Sequence, residues 1–514
     1  MKLIKGIPSK FFILLLISII AITFFPFINV NSFSIDDYFL FFYKTETGQL
    51  VESSIESGRW FGTFLVNLIG KFSGVSGFSA IILAFVFLIT QWIIISCLLV
   101  EQFELDFKKW QTPLIISLCF IHISTTELLT FKIAVVNLGF SFVYLFAIGG
   151  WFLIKKFNFK FLIGSILIMF TLATYQSFIN ILLVLTFTGI ILKLINDIQK
   201  KDKFNLKYFI DNEYFVKIAA IVFAFIFYLI VNKILLTALK LNITSRATFI
   251  NFNEVPERLN FLIKYYIRIL SEGDYFLIPH MTKLVILISL LSVILTIGLA
   301  ILRFKLVKLH VKIIAIFITI ALLIFALFSS ALASSFLKEL WLMPRMFSGF
   351  GFFLMAVFIL LYKFSANRQV IIIVTSLLCI LIFSFISINH NVANEQKYLN
   401  QLDRNKALRI VNEVEKIKNY NEKRIYINQS ANCWSNQMGN IKTIIGDMNM
   451  SAFCASWSKY ELLQYVSGEK FNRTTPEENL HLDSLYQALP DMSKPRWPTN
   501  GVIQVSDEII AVYP

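Results

Sequence analysis

Long apolar runs separated by short polar segments make up roughly the first three quarters of the chain. A helix needs about 20 mostly apolar residues to cross a bilayer, and eleven runs of about this length occur before residue 388. We therefore predict a polytopic α-helical membrane protein with about eleven transmembrane helices. The predicted spans are residues 11–31, 77–100, 113–131, 133–154, 160–174, 176–195, 215–236, 284–302, 313–333, 346–362 and 369–388.

The pattern changes after residue 388, where charges of both signs are mixed and no run is long enough to span a membrane. Short alternating segments indicate strands, and longer periodic segments indicate helices. We predict a transmembrane domain over residues 1–388 and a small α/β domain over residues 389–514. The predicted elements of this tail are helices at 389–418, 461–466 and 477–489 and strands at 424–428, 502–505 and 509–512.

Composition excludes an ordinary soluble enzyme, because 57% of the residues are hydrophobic and only 15% are charged. The net charge of +15 reflects basic loops, which are retained on the cytoplasmic side of a membrane. With the N-terminus inside, the inner loops hold 19 Lys and Arg among 65 residues, and the outer loops hold 12 among 115. An odd number of spans then places the tail outside. We expect a bacterial cytoplasmic membrane protein with a periplasmic or extracellular tail.

The first outer loop carries two adjacent carboxylates, Asp36 and Asp37, directly after the first span. A carboxylate at this position could remove the proton from an acceptor hydroxyl as a new bond forms. Neighbouring carboxylates raise each other's proton affinity, so one of the pair could act as the base while the other orients groups. The alternative is an ordinary helix cap, in which Asp36 or Asp37 opens a short surface helix.

Other polar residues lie at the predicted outer ends of the spans, where ionisable groups usually face an interior cavity. Arginine binds phosphate oxygens in a fork geometry, so these cations could form a pocket for a lipid-linked phosphate. Each one alone could instead be a cation that extends to the headgroup level. The candidate residues are Arg59, Glu127, Lys132, Tyr175, Gln176 and Arg345, with Arg246 and Arg268 as further cations.

The outer loop 237–283 shows helical spacing of Arg258, Lys264, Tyr265, Tyr266 and Arg268. This pattern is typical of an amphipathic helix that lies along the membrane surface.

The tail contains two cysteines, Cys433 and Cys454. They could form a disulfide if the tail faces an oxidising compartment. The alternative is a pair of buried thiols.

Five short motifs, taken in their order along the chain, resemble the type II Gtr family of bacterial O-antigen glucosyltransferases, which belong to the GT-C class. The resemblance implies that Asp36 and Asp37 lie at the active site. It also implies a polyprenyl-phosphate sugar, in this family glucose, as the donor, with a lipopolysaccharide glycan such as O-antigen as the acceptor outside the cell membrane. The motifs are SIDDY at 34–38, SGRW at 57–60, ELLTFK at 127–132, TYQS at 174–177 and PRMF at 344–347.

Two other functions stay open at this stage. A flippase or transporter of a lipid-linked sugar would have a similar number of spans, but the chain lacks clear inverted repeats or paired Gly/Pro-broken helices. A glycan polymerase or ligase would use the same kind of donor.

The chain has no phosphate-binding loop for a soluble nucleotide sugar and no clear metal ligand set, so we expect no cofactor, although a divalent metal is left open. We expect a lipid-linked donor, a glycan acceptor and membrane lipids as partners, and no nucleic acid.

Overall fold

The computed structural model of the chain is mostly helical. It describes residues 8–28, 33–34, 37–38, 52, 54–73, 77–200, 213–244, 248–271, 280–304, 307–339, 343–365, 367–428, 450–495 and 497–514. The chain divides into two compact units. The first contains Met1–Ile28, Glu46–Leu129 and Ala134–His390, and the second contains Asn29–Thr45, Thr130–Ile133 and Asn391–Pro514.

Helices make up almost all of the first unit. Its described helices are α1 Lys10–Phe24, α2 Trp60–Ser73, α3 Gly77–Gln102, α4 Gln111–Ile121, α5 Ile123–Thr130, α6 Lys132–Phe140, α7 Val143–Leu153, α8 Phe159–Leu172, α9 Phe178–Lys200, α10 Glu213–Leu239, α11 Val255–Ser271, α12 His280–Leu302, α13 Leu309–Ser329, α14 Leu332–Ser335, α15 Phe350–Phe364 and α16 Arg368–Glu415. Helices α5 and α6 each lie partly in the second unit, and so does α16, whose 48 residues pass the division at His390.

Within the described residues, nine helices are long and apolar enough to cross a membrane. The α4–α5 pair, bent by 50°, would make a tenth. Helix α8 coincides with the predicted span 160–174, but it has only 14 residues. All eleven predicted spans thus coincide with helices, and the number that cross the membrane stays a prediction. Helix α2 was not predicted, because its apolar part, Trp60–Ile69, is short.

The bend between α4 and α5 has a clear local cause at His122. This residue has an extended backbone conformation, and its ring nitrogen Nδ1 accepts a hydrogen bond from the backbone N–H of Ser124. The carbonyl of Ile121 would lack a partner at such a break. Asn389 of α16 donates to that carbonyl at 2.8 Å and accepts a hydrogen bond from Thr126. The bend is therefore held by buried polar side chains, and it directs α5 to carry Glu127 into the interior.

The second unit contains a four-stranded sheet with the strand order β2-β1-β4-β3. Strand β1 pairs in parallel with β2 and β4, and β3 pairs antiparallel with β4. The strands are β1 Arg424–Ile427, β2 Asn472–Arg473, β3 Val502–Gln504 and β4 Ile509–Val512, and the helices after β1 are α17 Lys459–Ser467 and α18 Pro476–Ala488. Every strand and helix predicted for the tail has a counterpart here.

Successive side chains of β1 point to opposite faces of the sheet, which explains how the sheet is buried on both faces. Ile425 and Ile427 face one apolar cluster with α16 and α17, and Tyr426 faces a second cluster with α18. Tyr38, which follows the predicted outer acidic pair, lies in the first of these clusters and is 1% exposed. Tyr38 is thus part of the core of this unit, and Phe33 packs against it.

Candidate functional site

Asp37 is fully buried in the second unit, with no exposed surface. Its carboxylate accepts a hydrogen bond from the backbone N–H of Ser34 at 2.8 Å, and its own N–H donates to the Ser34 hydroxyl at 3.3 Å. The two bonds join Ser34 and Asp37 reciprocally and hold the Asp37 carboxylate in one orientation. Asp36, the other predicted catalytic carboxylate, lies outside the described residues.

Lys132 is buried in the same unit, and the negative charge of Asp37 acts on it. Burial lowers the pKa of Lys132 to about 8, and the nearby Asp37 carboxylate counteracts part of this effect. Burying a charged group is costly unless it has a partner. Asp37 and Lys132 therefore neutralise each other in the interior of this unit.

The backbone before Asp37 is anchored by a residue that the sequence analysis did not single out. Asn400 of α16 accepts a hydrogen bond from the N–H of Phe33 at 2.6 Å and donates to the Phe33 carbonyl at 2.9 Å. The guanidinium of Arg404, one turn further along α16, lies 5.7 Å from the Phe33 ring centroid. Asn400 and Arg404 are polar residues within a segment that the sequence predicts to be a helix, and this feature could have identified them as candidates for such contacts.

A second group of polar residues lies in the first unit, and its centre is the ion pair between Glu127 and Arg345. Glu127 of α5 is fully buried, and the Arg345 side chain is 13% exposed. The guanidinium Nη1 of Arg345 donates to Glu127 Oε1 at 2.7 Å, and the Arg345 backbone N–H donates to Oε2 at 2.5 Å. Both carboxylate oxygens thus hold one arginine, which fixes its backbone as well as its side chain.

The turn that carries Arg345 is a short 3-10 helix, Pro344–Phe347. Asn180 of α9 donates to the carbonyl of Met346 at 3.0 Å, and the Ser348 hydroxyl donates to the carbonyl of Ser177 at 2.7 Å. These contacts tie the turn to the start of α9. Asn180 lies inside a predicted apolar span, and a buried amide there is a signal for a polar contact between helices.

Tyr175 lies between the two arginines of this group. The Arg59 guanidinium carbon is 4.8 Å from the Tyr175 ring centroid, and the positive charge of Arg345 acts on its hydroxyl. Burial raises the pKa of Tyr175, while Arg345 and Arg59 oppose the rise. Within the described residues, neither the Tyr175 hydroxyl nor the Ser177 hydroxyl has a hydrogen-bond partner that meets normal geometry. Buried hydroxyls without partners are unfavourable, so this location suits a ligand with acceptor oxygens.

Gln176 holds the backbone that precedes Arg59. Its side-chain nitrogen donates to the carbonyl of Ser57 at 2.8 Å and to the Tyr228 hydroxyl at 3.0 Å. Its side-chain oxygen lies 3.4 Å from Arg59 Nε, which donates to it. The amide is therefore occupied by protein groups, which makes Gln176 a positioning residue for Arg59.

Gly58 is required in this turn for two reasons. Its φ of +74° lies in the left-handed region, and a Cβ atom would come within 2.1 Å of the Tyr228 hydroxyl oxygen. Glycine alone adopts this conformation without a steric cost. The next residues begin α2, and the Phe61 ring stacks on Phe170 of α8 at 4.3 Å. The SGRW segment is thus a tight turn that presents Arg59 at the start of a helix.

The structure brings five of the predicted residues together in one group, which we call the Arg345 cluster. Lys132, which was predicted with them, lies in the second unit, as does Asp37. Arg268 lies on α11, and Arg246 lies outside the described residues. The Arg345 cluster comprises Arg59, Glu127, Tyr175, Gln176 and Arg345.

Two further predictions concern cysteines and metals. Cys454 is buried in the 3-10 turn Ala452–Cys454, but Cys433 lies outside the described residues, so the predicted pairing stays a prediction. Within the part of the chain that the structure describes, no group of three or more His, Cys, Asp or Glu side chains could hold a metal ion.

The fold and the comparisons with known proteins together define the class of the chain. The apolar helices and the buried polar groups describe a polytopic helical membrane protein. The family model described as Glucosyl transferase GtrII matches residues 24–356, which is more than half of the chain and includes the Arg345 cluster. The chain belongs to this glucosyltransferase family, as the sequence motifs indicated. Neither the curated proteins nor the solved structures contain a match to the chain.

Proposed function

We propose that the chain transfers a glucosyl group from a polyprenyl-phosphate donor to a cell-surface glycan on the outer side of the bacterial cytoplasmic membrane. Membership of the glucosyltransferase family supports the reaction type. The observation that supports the donor assignment is the buried Tyr175 hydroxyl, which lies beside the charges of Arg59 and Arg345 and has no hydrogen bond of normal geometry among the described residues.

In the proposed reaction, an acceptor hydroxyl oxygen bonds to the anomeric carbon of the donor sugar. The bond between that carbon and the phosphate oxygen breaks, and its electron pair stays on the phosphate. The products are the glycosylated acceptor and polyprenyl phosphate. Negative charge therefore develops on the leaving phosphate, and prepositioned donors stabilise such charge most when water is excluded.

The Arg345 cluster is the proposed phosphate site. Arg345 is fixed at its backbone and its guanidinium by Glu127, so little conformational entropy is lost when it binds a ligand. Arg59 is held by Gln176 and by the Tyr175 ring. Two guanidinium groups and one hydroxyl offer donors to the phosphate oxygens, and Glu127 lowers the net positive charge of the cluster.

Asp37 is the proposed base that takes the proton from the acceptor hydroxyl. The Asp37 carboxylate and the Lys132 ammonium attract each other, and this pairing reduces the cost of burying either charge. The Ser34 backbone N–H holds one carboxylate oxygen at 2.8 Å and so fixes its orientation. Asp36 keeps the role that its sequence motif implies, as a second carboxylate next to the base.

Mass analysis of surface glycans tests this proposal in cells with and without the gene. The gene product is expected to add one hexose per acceptor repeat, and Asp37→Asn or Arg345→Ala is expected to abolish the addition while protein remains in the membrane. Lys264→Ala, a change on the outer surface of α11, is the matched control and is expected to retain the modification. Unchanged glycans on loss of the gene would contradict the proposal, and transfer of whole oligosaccharides would indicate a polymerase or ligase.

A further inference from the structure

Helix α11 presents three chemically different faces around its circumference. The buried face consists of Leu262, Tyr265, Tyr266 and Ile269. A second face carries Leu259, Ile263 and Ile267, which follow each other at four-residue spacing and are 41%, 46% and 60% exposed. Residues at this spacing lie in one row along a helix. The third face is polar and carries Glu257, Lys264 and Arg268.

A water-soluble helix packed on a protein has an apolar face and a polar face, and an exposed aliphatic row between them is unusual. Such a row is expected where a helix lies at the level of the lipid headgroups, with one side on the protein, one on hydrocarbon and one in water. Phe252, just before the helix, is 88% exposed and extends the apolar surface. Arg268, in the last turn of the helix, is suited to anionic headgroups.

The buried face of α11 packs directly on the turn that carries Arg345. The Tyr265 and Phe347 rings stack with centroids 5.5 Å apart, and the Tyr266 and Phe347 rings meet edge to face at 5.7 Å. The Tyr266 hydroxyl also bonds the Ser330 hydroxyl at 2.7 Å and the carbonyl of Leu327 at 3.0 Å. Phe347 is fully buried and lies two residues after Arg345.

We propose that α11 is a lipid-binding clamp for the Arg345 turn: its aliphatic row sits in the acyl region of bilayer phospholipid, and its tyrosines thereby hold Phe347 and Arg345 in place. The occupant of the row is phospholipid of the surrounding leaflet. The link to Arg345 rests on the proposed donor site, whereas lipid binding by the row does not. Embedding three aliphatic side chains is favourable, because it removes their apolar surface from water, and it restrains the helix at the depth that the Arg345 turn requires.

Photocrosslinking of the full chain tests the lipid contact without any assay of activity. Ile263, Ile267 and Lys264 are each replaced by p-benzoylphenylalanine, and the protein is irradiated in nanodiscs of phosphatidylglycerol and phosphatidylethanolamine. Phospholipid adducts are expected at positions 263 and 267, with at least a tenfold lower yield at 264, which faces water. Equal yields at 263 and 264, or no adduct at 263, would overturn the proposal.

The coupling to Arg345 is tested by the kinetics of donor use. Ile263→Asn is expected to raise the donor KM by about tenfold with a smaller change in kcat, and Ile263→Leu is expected to restore it, because Leu remains aliphatic. Lys264→Asn is the control at the adjacent position. An unchanged donor KM in Ile263→Asn would overturn the coupling. If the wild-type chain shows no transfer, the proposed function fails, while the crosslinking result still decides the lipid contact.

Discussion

Glu127 holds Arg345 by two different bonds, one to the guanidinium at 2.7 Å and one to the backbone N–H at 2.5 Å. The two residues are 218 positions apart, and their bonds connect the bent helix α5 to the turn before α15. A carboxylate that fixes both the backbone and the side chain of an arginine determines where that guanidinium points. This relationship is the basis of the first prediction.

Glu127→Gln is expected to raise the donor KM, because the amide can still accept from the Arg345 backbone but no longer pairs with the guanidinium charge. Glu127→Ala is expected to raise the donor KM further. It is also expected to destabilise the protein by about 3–5 kcal/mol, the usual cost of removing one partner of a buried ion pair. Thermal unfolding in detergent and donor titrations measure the two effects. Wild-type behaviour of the Gln variant would show that the charge has no role of its own.

Tyr175→Phe separates ligand binding from stability. The Tyr175 hydroxyl lacks a hydrogen-bond partner of normal geometry among the described residues, so its removal is expected to leave the free energy of unfolding unchanged or slightly higher. A hydrogen bond to a charged ligand contributes about 1.5–3 kcal/mol, so the donor KM is expected to rise about 10- to 100-fold. Tyr228→Phe is the matched control: its hydroxyl bonds Gln176 and the carbonyl of Gly58, and it is expected to lose stability. A loss of stability in Tyr175→Phe would contradict the assigned role.

Gly58→Ala is expected to disrupt the Arg59 turn. A non-glycine residue at this φ costs roughly 1–2 kcal/mol, and the added Cβ overlaps the Tyr228 hydroxyl oxygen at 2.1 Å. Combining it with Tyr228→Phe removes the overlapping atom, so the double variant is expected to recover part of the loss. The coupling energy between Gly58→Ala and Tyr228→Phe in this double-mutant cycle measures the steric overlap between the added Cβ and the Tyr228 hydroxyl. Simple additivity of the two single changes would show that the turn has relaxed elsewhere.

The pH dependence of transfer reports on the Asp37–Lys132 pair. Burial lowers the pKa of Lys132 to about 8, so the ammonium loses its proton above that pH and no longer attracts Asp37. We expect kcat/KM to fall as the pH rises through about 8. In Lys132→Arg the guanidinium stays charged, and the fall is expected to disappear.

Stability is expected to change in the opposite direction over the same range. Between pH 8 and about 10.5 the unfolded chain keeps its lysine protonated while the folded chain does not, so the unfolded state binds more protons. The contribution of Lys132 to stability then rises with pH. A parallel fall of activity and stability above pH 8 would assign the activity loss to unfolding instead.

Local patterns predicted the helices well and the contacts between them poorly. The apolar runs identified a helix at each predicted span, and the alternation in β1 was visible in the sequence. Asn389 and Asn180 were not predicted as positioning residues. Their partners are far away along the chain, and no local pattern shows which groups those partners are. The break at His122 depends on Asn389, and the tight turn at Gly58 depends on Gln176 and Tyr228, which are equally distant along the chain. The sequence analysis placed Arg59, Arg345 and Lys132 in one group of cations. The structure assigns Arg59 and Arg345 to the first unit and Lys132 to the second, and the role of each in substrate binding stays a prediction.

The most direct test of the account is transfer by the purified full-length protein in nanodiscs, supplied with polyprenyl-phosphate glucose labelled in the sugar and with an isolated surface glycan. The account predicts labelled glycan and released polyprenyl phosphate in equal amounts from the wild type. It predicts that Asp37→Asn binds the donor but transfers no label, and that Arg345→Ala binds the donor weakly. Transfer of label by Asp37→Asn at the wild-type rate, or transfer from a soluble nucleotide sugar without the lipid donor, would contradict it.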